Sequence, residues 1–199
     1  MNILHLSDTH DKHHELPSLP EADVIVHSGD FTFAGSERET YDFLDWFCSL
    51  PYRHKIFIAG NHDMCMRGIE DIQGLPGDVH YLCNSEVVID GYKFLGIPMF
   101  MEDVVDGTLD KMIDSIPADV DILVTHQPPY GIGDLWHGQH FGSKALRQKI
   151  DGMPSLKAHL FGHQHDAYSL SHQGCTIFSN AAVLDCQYHL VALPRVIEI

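Results

Sequence analysis

Basic residues are scarce in this 199-residue sequence, with 12 Lys and Arg against 28 Asp and Glu and a formal net charge of −16. So acidic a chain is a poor candidate for nonspecific nucleic-acid binding or for docking on anionic membranes, since both need basic patches. An anionic substrate is not excluded, because bound divalent ions reverse the field locally. Cysteines are few and ill-suited to pairing: Cys48, Cys65, Cys83, Cys175 and Cys186 are odd in number and lack C-x-x-C spacing. That argues against a disulfide framework and for free thiols in a reducing compartment. The first residues carry no basic leader, and no apolar run is long enough to span a bilayer. A cytoplasmic location is the expectation. Repeats, low-complexity tracts and linkers are also missing, so one domain over residues 1–199 is expected. With 44% apolar residues the chain can bury a core.

What is present is a series of short apolar runs between Gly-, Pro- and Asp-rich turns. Ile3–Leu6, Val24–Val26, Ile56–Ala59, Val87–Ile89, Phe94–Ile97, Ile122–Thr125, His159–Phe161, Thr176–Phe178 and Val196–Ile197 read as strands. Several are β-branched and lack polar alternation, which predicts burial on both faces. Ser36 to Leu50 reads as a helix, opened by the capping box Ser36 with Glu39 and carrying Tyr41, Phe43, Leu44 and Phe47 as a core stripe. Thr108–Ile116 and Ser143–Ile150 are shorter helix candidates. Strands alternating with helices early and clustering late predict a layered α/β fold with mixed sheets.

The residues that carry chemistry follow strands directly. Five strands run into Asp8-Thr9-His10, Gly29-Asp30, Gly60-Asn61-His62-Asp63, His126, and Gly162-His163-Gln164-His165. Sites in α/β sheets form at the carboxyl ends of strands. In extended chain, residues i and i+2 face one side, so Asp8 with His10, and His163 with His165, each aim two ligands at one volume. Glycines before the ligand candidates permit tight turns and close backbone approach. Carboxylate, imidazole and amide oxygen suit Mn²⁺, Fe, Zn²⁺, Mg²⁺ or Ni²⁺. One carboxylate can bridge two ions about 3.5–4 Å apart, and water on such ions loses its proton near neutral pH. The resulting hydroxide is suited to attack a phosphorus.

Taken together and in order, these five blocks resemble the calcineurin-like metallophosphoesterases, whose pattern is D-x-H, G-D, G-N-H-[DE], H and G-H-x-H. The resemblance runs from Asp8 through His165 and the strands beyond. Gly29-Asp30-Phe31-Thr32, His54-Lys55-Ile56 and Thr125-His126-Gln127-Pro128-Pro129 are similar to the subgroup that contains the brain metallophosphoesterase-domain proteins. The resemblance implies a four-layer αββα sandwich, with two mixed sheets flanked by helices. It implies two divalent ions, Mn²⁺ foremost: one on Asp8, His10 and His165, the other on Asn61, His126 and His163, with Asp30 bridging. His62 would act on substrate as a general acid or charge-stabilising donor, and Asp63 would orient His62 or support the ligands. One departure matters. The protein phosphatases of the superfamily carry G-D-x-x-D-R-G, whereas Gly29 to Gly35 lacks the second Asp and the Arg. A small diester, a cyclic nucleotide foremost, therefore fits better than a phosphoprotein.

Singly, each block has an ordinary reading as a cap, a turn or a surface histidine; only their joint order is specific. His5 and His27, inside strands, read as core residues with a hydrogen bond, and His13, His54, His159 and the other histidines as surface or structural. The aromatic segment before the last helix adds substrate-binding candidates: Trp136 or Phe141 to stack on a base, His137 beside them, and Gly142 and Ser143 to offer helix N-terminal amides to a phosphate. A phosphomonoesterase, a nuclease and a non-catalytic scaffold remain as rivals, and the oligomeric state is not readable.

Overall fold

The computed structural model describes residues Met1–Ile199. In chain order the elements are β1 (Asn2–Leu6), β2 (Val24–His27), α1 (Glu37–Ser49), β3 (His54–Phe57), β4 (Val79–Tyr81), β5 (Ser85–Ile89), β6 (Tyr92–Ile97), α2 (Met101–Val105), α3 (Thr108–Asp114), β7 (Ile122–Thr125), β8 (Leu135–Trp136), β9 (Gln139–His140), α4 (Lys144–Asp151), β10 (Ala158–Phe161), β11 (Ser169–Gln173), β12 (Thr176–Asn180) and β13 (Arg195–Glu198). One sheet has the order β13-β1-β2-β3-β4, the other β11-β12-β10-β7-β6-β5, and β8-β9 form a small hairpin. β1 to β4 run parallel with β13 antiparallel at the edge. β6, β7, β10 and β12 run parallel, with β5 and β11 antiparallel at the two edges.

Alternation along the strands decides how the layers stack. In β1 to β3, Leu4, Leu6, Ile25 and Phe57 turn outward onto Phe43 and Phe47 of α1. Their neighbours Ile3, Val24, Val26 and Ile56 turn inward onto Phe94, Ile122, Val124 and Leu160 of the second sheet. The far face of that sheet, Leu95, Ile97 and Leu123, packs on Leu109 and Ile113 of α3 and Leu146 and Ile150 of α4. Three apolar seams thus separate four layers, helix, sheet, sheet, helix, as expected. Strands buried on both faces are mostly apolar, and the polar residues they do bury, His5, His27, Lys55 and His159, are each hydrogen-bonded. Burying Phe43 and Phe47 fully contributes roughly 1.5–3 kcal/mol each.

The start of α1 follows the sequence signal. Ser36 Oγ accepts from the Glu39 amide at 3.3 Å, and the Glu39 carboxylate accepts from the Ser36 amide at 2.9 Å. The helix stops where Leu50 turns extended, as a residue before proline must. The buried stripe is Thr40, Phe43 and Phe47; Tyr41, expected in the core, is 67% exposed. Residues 43 and 47 fix the inward face, and at 3.6 residues per turn position 41 falls about 120–160° from them, on the far side of the helix.

Other differences are local. β3 begins at His54 and ends at Phe57, earlier than expected, and α2, β4, β8, β9 and β11 had no sequence assignment. The five cysteines are free, and no helix is long and apolar enough to cross a membrane.

Candidate metal centre and cleft

The carboxyl ends of β1, β2 and β3 meet those of β7 and β10 at one end of the sandwich. Backbone bonds stitch the loops there: Asp8 N–H donates to Gly29 O (3.0 Å), His10 N–H to Asp30 O (3.1 Å) and Gly162 N–H to His126 O (3.1 Å). Asp8, His10, Asp30 and His163 all hold positive φ, between 40° and 69°. Such backbone is uncommon for non-glycine residues and persists only where surrounding structure enforces it. The neighbouring glycines show how tight the packing is. A Cβ on Gly60 would lie 2.3 Å from Asp30 Oδ1, and one on Gly162 would lie 2.1 Å from Asp8 Oδ2.

The donors converge in groups. Asp8, His10 and His165 bring one ligand atom each within 4.8 Å of one another, and so do Asp30, His126 and His163; His10, Asp30 and His62 form a third such set. His10 Nε2 lies 3.2 Å from His165 Nε2 and 3.7 Å from Asp30 Oδ2. His165 Nε2 lies 3.5 Å from Asp8 Oδ1, and His126 Nε2 lies 3.2 Å from Asp30 Oδ2.

Three of these imidazoles are fixed from behind. His10 Nδ1–H donates to Thr32 O at 3.1 Å, His126 Nδ1–H to Ser28 O at 2.8 Å and His165 Nδ1–H to Asp185 O at 2.9 Å. A carbonyl only accepts, so each Nδ1 carries the proton and each Nε2 presents its lone pair inward when the ring is neutral. Metal-binding histidines are held in this way. A further atom points the same way: Asn61 Oδ1 is buried with no hydrogen-bond partner. Buried polar atoms rarely stay unpaired. A set of lone pairs and carboxylates facing each other across a few ångströms fits a cation, and the residues present fit a pair of divalent ions.

Electrostatics agree. Burial opposes ionisation of Asp8, but its hydrogen bond with His165 and the nearby imidazoles hold its carboxyl well below the usual range. Burial also opposes protonation of His126, yet the Asp30 carboxylate outweighs it and pushes the ring up to about 10. Asp8 does the same for His165, against burial, up to about 9. For His10 and His163, burial prevails and pulls each down to about 4. Without metal, protons on His126 and His165 offset the two carboxylates.

His62 and Asp63 part company. The His62 ring is half-buried at the cleft, its Nδ1–H on Phe33 O at 2.9 Å and its plane edge-on to His10 at 4.6 Å. Asp63 does not orient that ring and does not line the cleft. Its fully buried carboxylate accepts from the amides of Gly60 (2.8 Å), Asp30 (2.9 Å), Phe31 (3.4 Å) and Thr32 (2.8 Å) and from Thr32 Oγ1 (2.7 Å). Of its two expected roles the geometry matches support of the ligands and not orientation of His62, and its place among the catalytic residues is corrected: Asp63 ties the Asp30 loop to the Asn61 loop.

A cleft of about 350 Å³ opens over Asp30, Asn61, His62, His163 and His165. Its walls are Trp136, Phe141, Gln164, Asp166, Cys186 and Tyr188, with no lysine or arginine. Of the expected substrate residues, Trp136 and Phe141 reach it. His137 lies outside, against Trp136 at 4.6 Å between ring centres. Gly142 and Ser143 also lie outside, and their amides are spent on Asp134 Oδ2 (2.9 Å) and Pro128 O (2.9 Å), so they offer nothing to a phosphate. Tyr188, on an irregular C-terminal loop, had no signal in the sequence. Its ring stands 4.9 Å from His10 and 5.1 Å from Phe33, on backbone of φ 62°.

Two buried histidines brace the ligand loops. His5 reaches Ser179 Oγ and Ser28 Oγ, each at 2.9 Å, and so joins the two sheets. His27 Nδ1 accepts from Gly29 N–H at 3.3 Å, so its Nε2–H donates to Thr9 Oγ1 at 3.0 Å.

The sequence matches the model of the calcineurin-like phosphoesterases over residues 1–167. It is 34% identical to a UPF0046 protein of Caenorhabditis elegans, over 98% of this chain and 79% of that one. It is 32% identical to human metallophosphoesterase domain-containing protein 1, over 98% of this chain and 69% of that one. A more distant relative, at 25% identity over 75% of this chain and 58% of its own, is a 3′,5′-cyclic-nucleotide phosphodiesterase of Nostoc sp.. A solved structure only 13% identical superimposes with a TM-score of 0.64 over 91% of this chain and 90% of its own.

Proposed function

The chain belongs to the calcineurin-like phosphoesterase family, and on that premise we propose that it hydrolyses a phosphodiester bond of a small nucleotide, a cyclic one foremost. The observation that carries this reading is the inward convergence of ring nitrogens whose partner nitrogens are all spent on carbonyls. Asp8, His10 and His165 would hold one divalent ion, Asn61, His126 and His163 the other, and Asp30 would be shared. Bound divalent ions, Mn²⁺ foremost, supply the positive charge that acidifies a water and draws in phosphate oxygens. The remaining work falls to the chain. Phe33 O holds the His62 ring with its Nε2 free to carry a proton and hand it to the leaving oxygen. Trp136, Phe141 and Tyr188 would take the planar base between apolar faces.

The wall composition supports a diester over a monoester. A monoester carries up to two negative charges, and its spare oxygens call for a guanidinium or ammonium group. The cleft has neither. The relative from Nostoc, a cyclic-nucleotide phosphodiesterase by name, points the same way.

A substrate panel tests it: the Mn²⁺-loaded protein against 2′,3′- and 3′,5′-cyclic nucleotides, bis-p-nitrophenyl phosphate and p-nitrophenyl phosphate. Faster turnover of the diesters is expected. Preference for the monoester overturns the diesterase reading and leaves a phosphomonoesterase on the same residues. Activity on single-stranded DNA instead makes it a nuclease, and inertness with both ions bound makes it a scaffold.

A further inference from the structure

A second group of metal-type donors lies outside the cleft. His13 and His14, on the short turn His13–Glu15 after β1, both reach Asp42 of α1. His13 Nε2 is 3.0 Å and His14 Nε2 3.2 Å from the same oxygen, Asp42 Oδ2. One donor atom from each lies within 4.8 Å of the others. Around a tetrahedral ion with bonds of about 2.0–2.1 Å, neighbouring donors stand about 3.3 Å apart. Seating an ion here therefore asks for shifts of a few tenths of an ångström at the two short edges.

Three features favour a cation. The cavity beside Asp42 is lined by Asp11, Glu39 and Asp45 with Arg38 as its one basic residue. Burial pulls the His13 ring down to about 4, so at neutral pH it is uncharged and ligation asks only that its proton move from Nε2, where it bonds Asp42, to Nδ1. His14 and Asp42 are exposed, 59% and 51% at the side chain, which leaves an entry path and a fourth position for water. One feature limits affinity: His13 Nδ1 is buried with no partner, so the ring lacks the acceptor that usually steadies a ligating imidazole.

We propose that His13, His14 and Asp42 form a third metal site, separate from the cleft, that takes an imidazole-preferring ion such as Zn²⁺ and pins the His13–Glu15 turn to α1. Two imidazoles and one carboxylate select Zn²⁺, Ni²⁺ or Cu²⁺ over Mg²⁺ or Ca²⁺. The turn begins three residues after His10, so occupancy would also restrain the loop that carries a cleft ligand.

Equilibrium dialysis of the zinc-loaded protein against free Zn²⁺ in the micromolar range, with metal content read by plasma mass spectrometry, tests this. Wild type should hold one more ion per chain than His14→Ala or Asp42→Asn, whose exposed positions leave the core intact. Equal zinc content in wild type and both variants overturns the proposal, whatever that content is. Because the readout is a difference of one ion, it is independent of how many ions the cleft retains. A second readout, the rise in Tm on adding Zn²⁺, should be larger for wild type than for either variant.

Discussion

His10 and His165 face each other with their Nε2 atoms 3.2 Å apart, while both Nδ1 protons are committed to the carbonyls of Thr32 and Asp185. At most one proton fits between the two inward nitrogens. The metal-free protein places it on His165, whose ring burial would lower but the Asp8 carboxylate pushes up to about 9. His126 is charged in the same way, up to about 10.

These two values have a consequence for pH. Both stand above the ordinary imidazole value of 6.5. Their charge therefore stabilises the metal-free fold fully below about pH 6.5, and that contribution is lost as pH rises through about 9 and 10. Metal binding must expel both protons. Titration calorimetry at pH 7.5 in buffers of different ionisation enthalpy should report about two protons released as the cleft fills. Affinity for each ion should fall about tenfold per displaced proton for each unit of acidification. No proton release would show both rings neutral before metal binds and contradict their raised values.

Separate substitutions should split metal holding from turnover. Asp30→Ala removes the carboxylate that lies between the two ligand sets and should cost the protein its bound metal. His62→Ala should keep metal and lower kcat about 10²–10⁴-fold, the range for a positioned proton donor. Equal metal loss in both variants would make His62 a ligand, a role that its place beside His10 and Asp30 allows.

Asp63 should act on stability and metal retention, not on the proton transfer. Its carboxylate satisfies four amides and one hydroxyl in a fully buried position. Asp63→Ala leaves those donors unpaired, at about 1–3 kcal/mol for each one that finds no water. A fall in Tm of several degrees is expected, with the pH profile of residual activity unchanged. A shifted profile would restore a direct part in the chemistry.

Trp136→Ala and Phe141→Ala should raise KM for a cyclic nucleotide while leaving turnover of a diester without a base near its original rate. Loss of one aromatic contact of about 1–1.5 kcal/mol corresponds to a rise of roughly tenfold. His137→Ala should change neither, since that ring lies outside the cleft. If both diesters suffer alike, the aromatic wall shapes the loop and not the substrate.

How much of this was legible in the sequence depends on what each residue answers to. The seven candidate ligands stood out because they follow mostly apolar strands at fixed spacing, and the sandwich makes strand ends meet. The four-layer arrangement is what the family resemblance implies, whereas the layered α/β class was legible because strands such as Ile3–Leu6 and Ile122–Thr125 are mostly apolar, both their faces being covered. Edge elements were not. β11, Ser-Leu-Ser-His-Gln, is largely exposed and held by its ladder with β12, so its composition reads as loop. Tyr188 enters the cleft through a loop pinned by Asp185, whose carboxylate accepts from the amides of Gln187 and His189. Nothing periodic marks such a residue. The sequence position of Asp63 does not choose between orienting His62 and supporting the ligands; its partners, amides more than thirty positions upstream among them, do.

Anomalous diffraction from Mn²⁺-soaked crystals tests the metal centre most directly. Two peaks about 3.5–4 Å apart are expected, with an Asp30 oxygen between them. A single peak, or two ions that do not share Asp30, would contradict the dinuclear assignment.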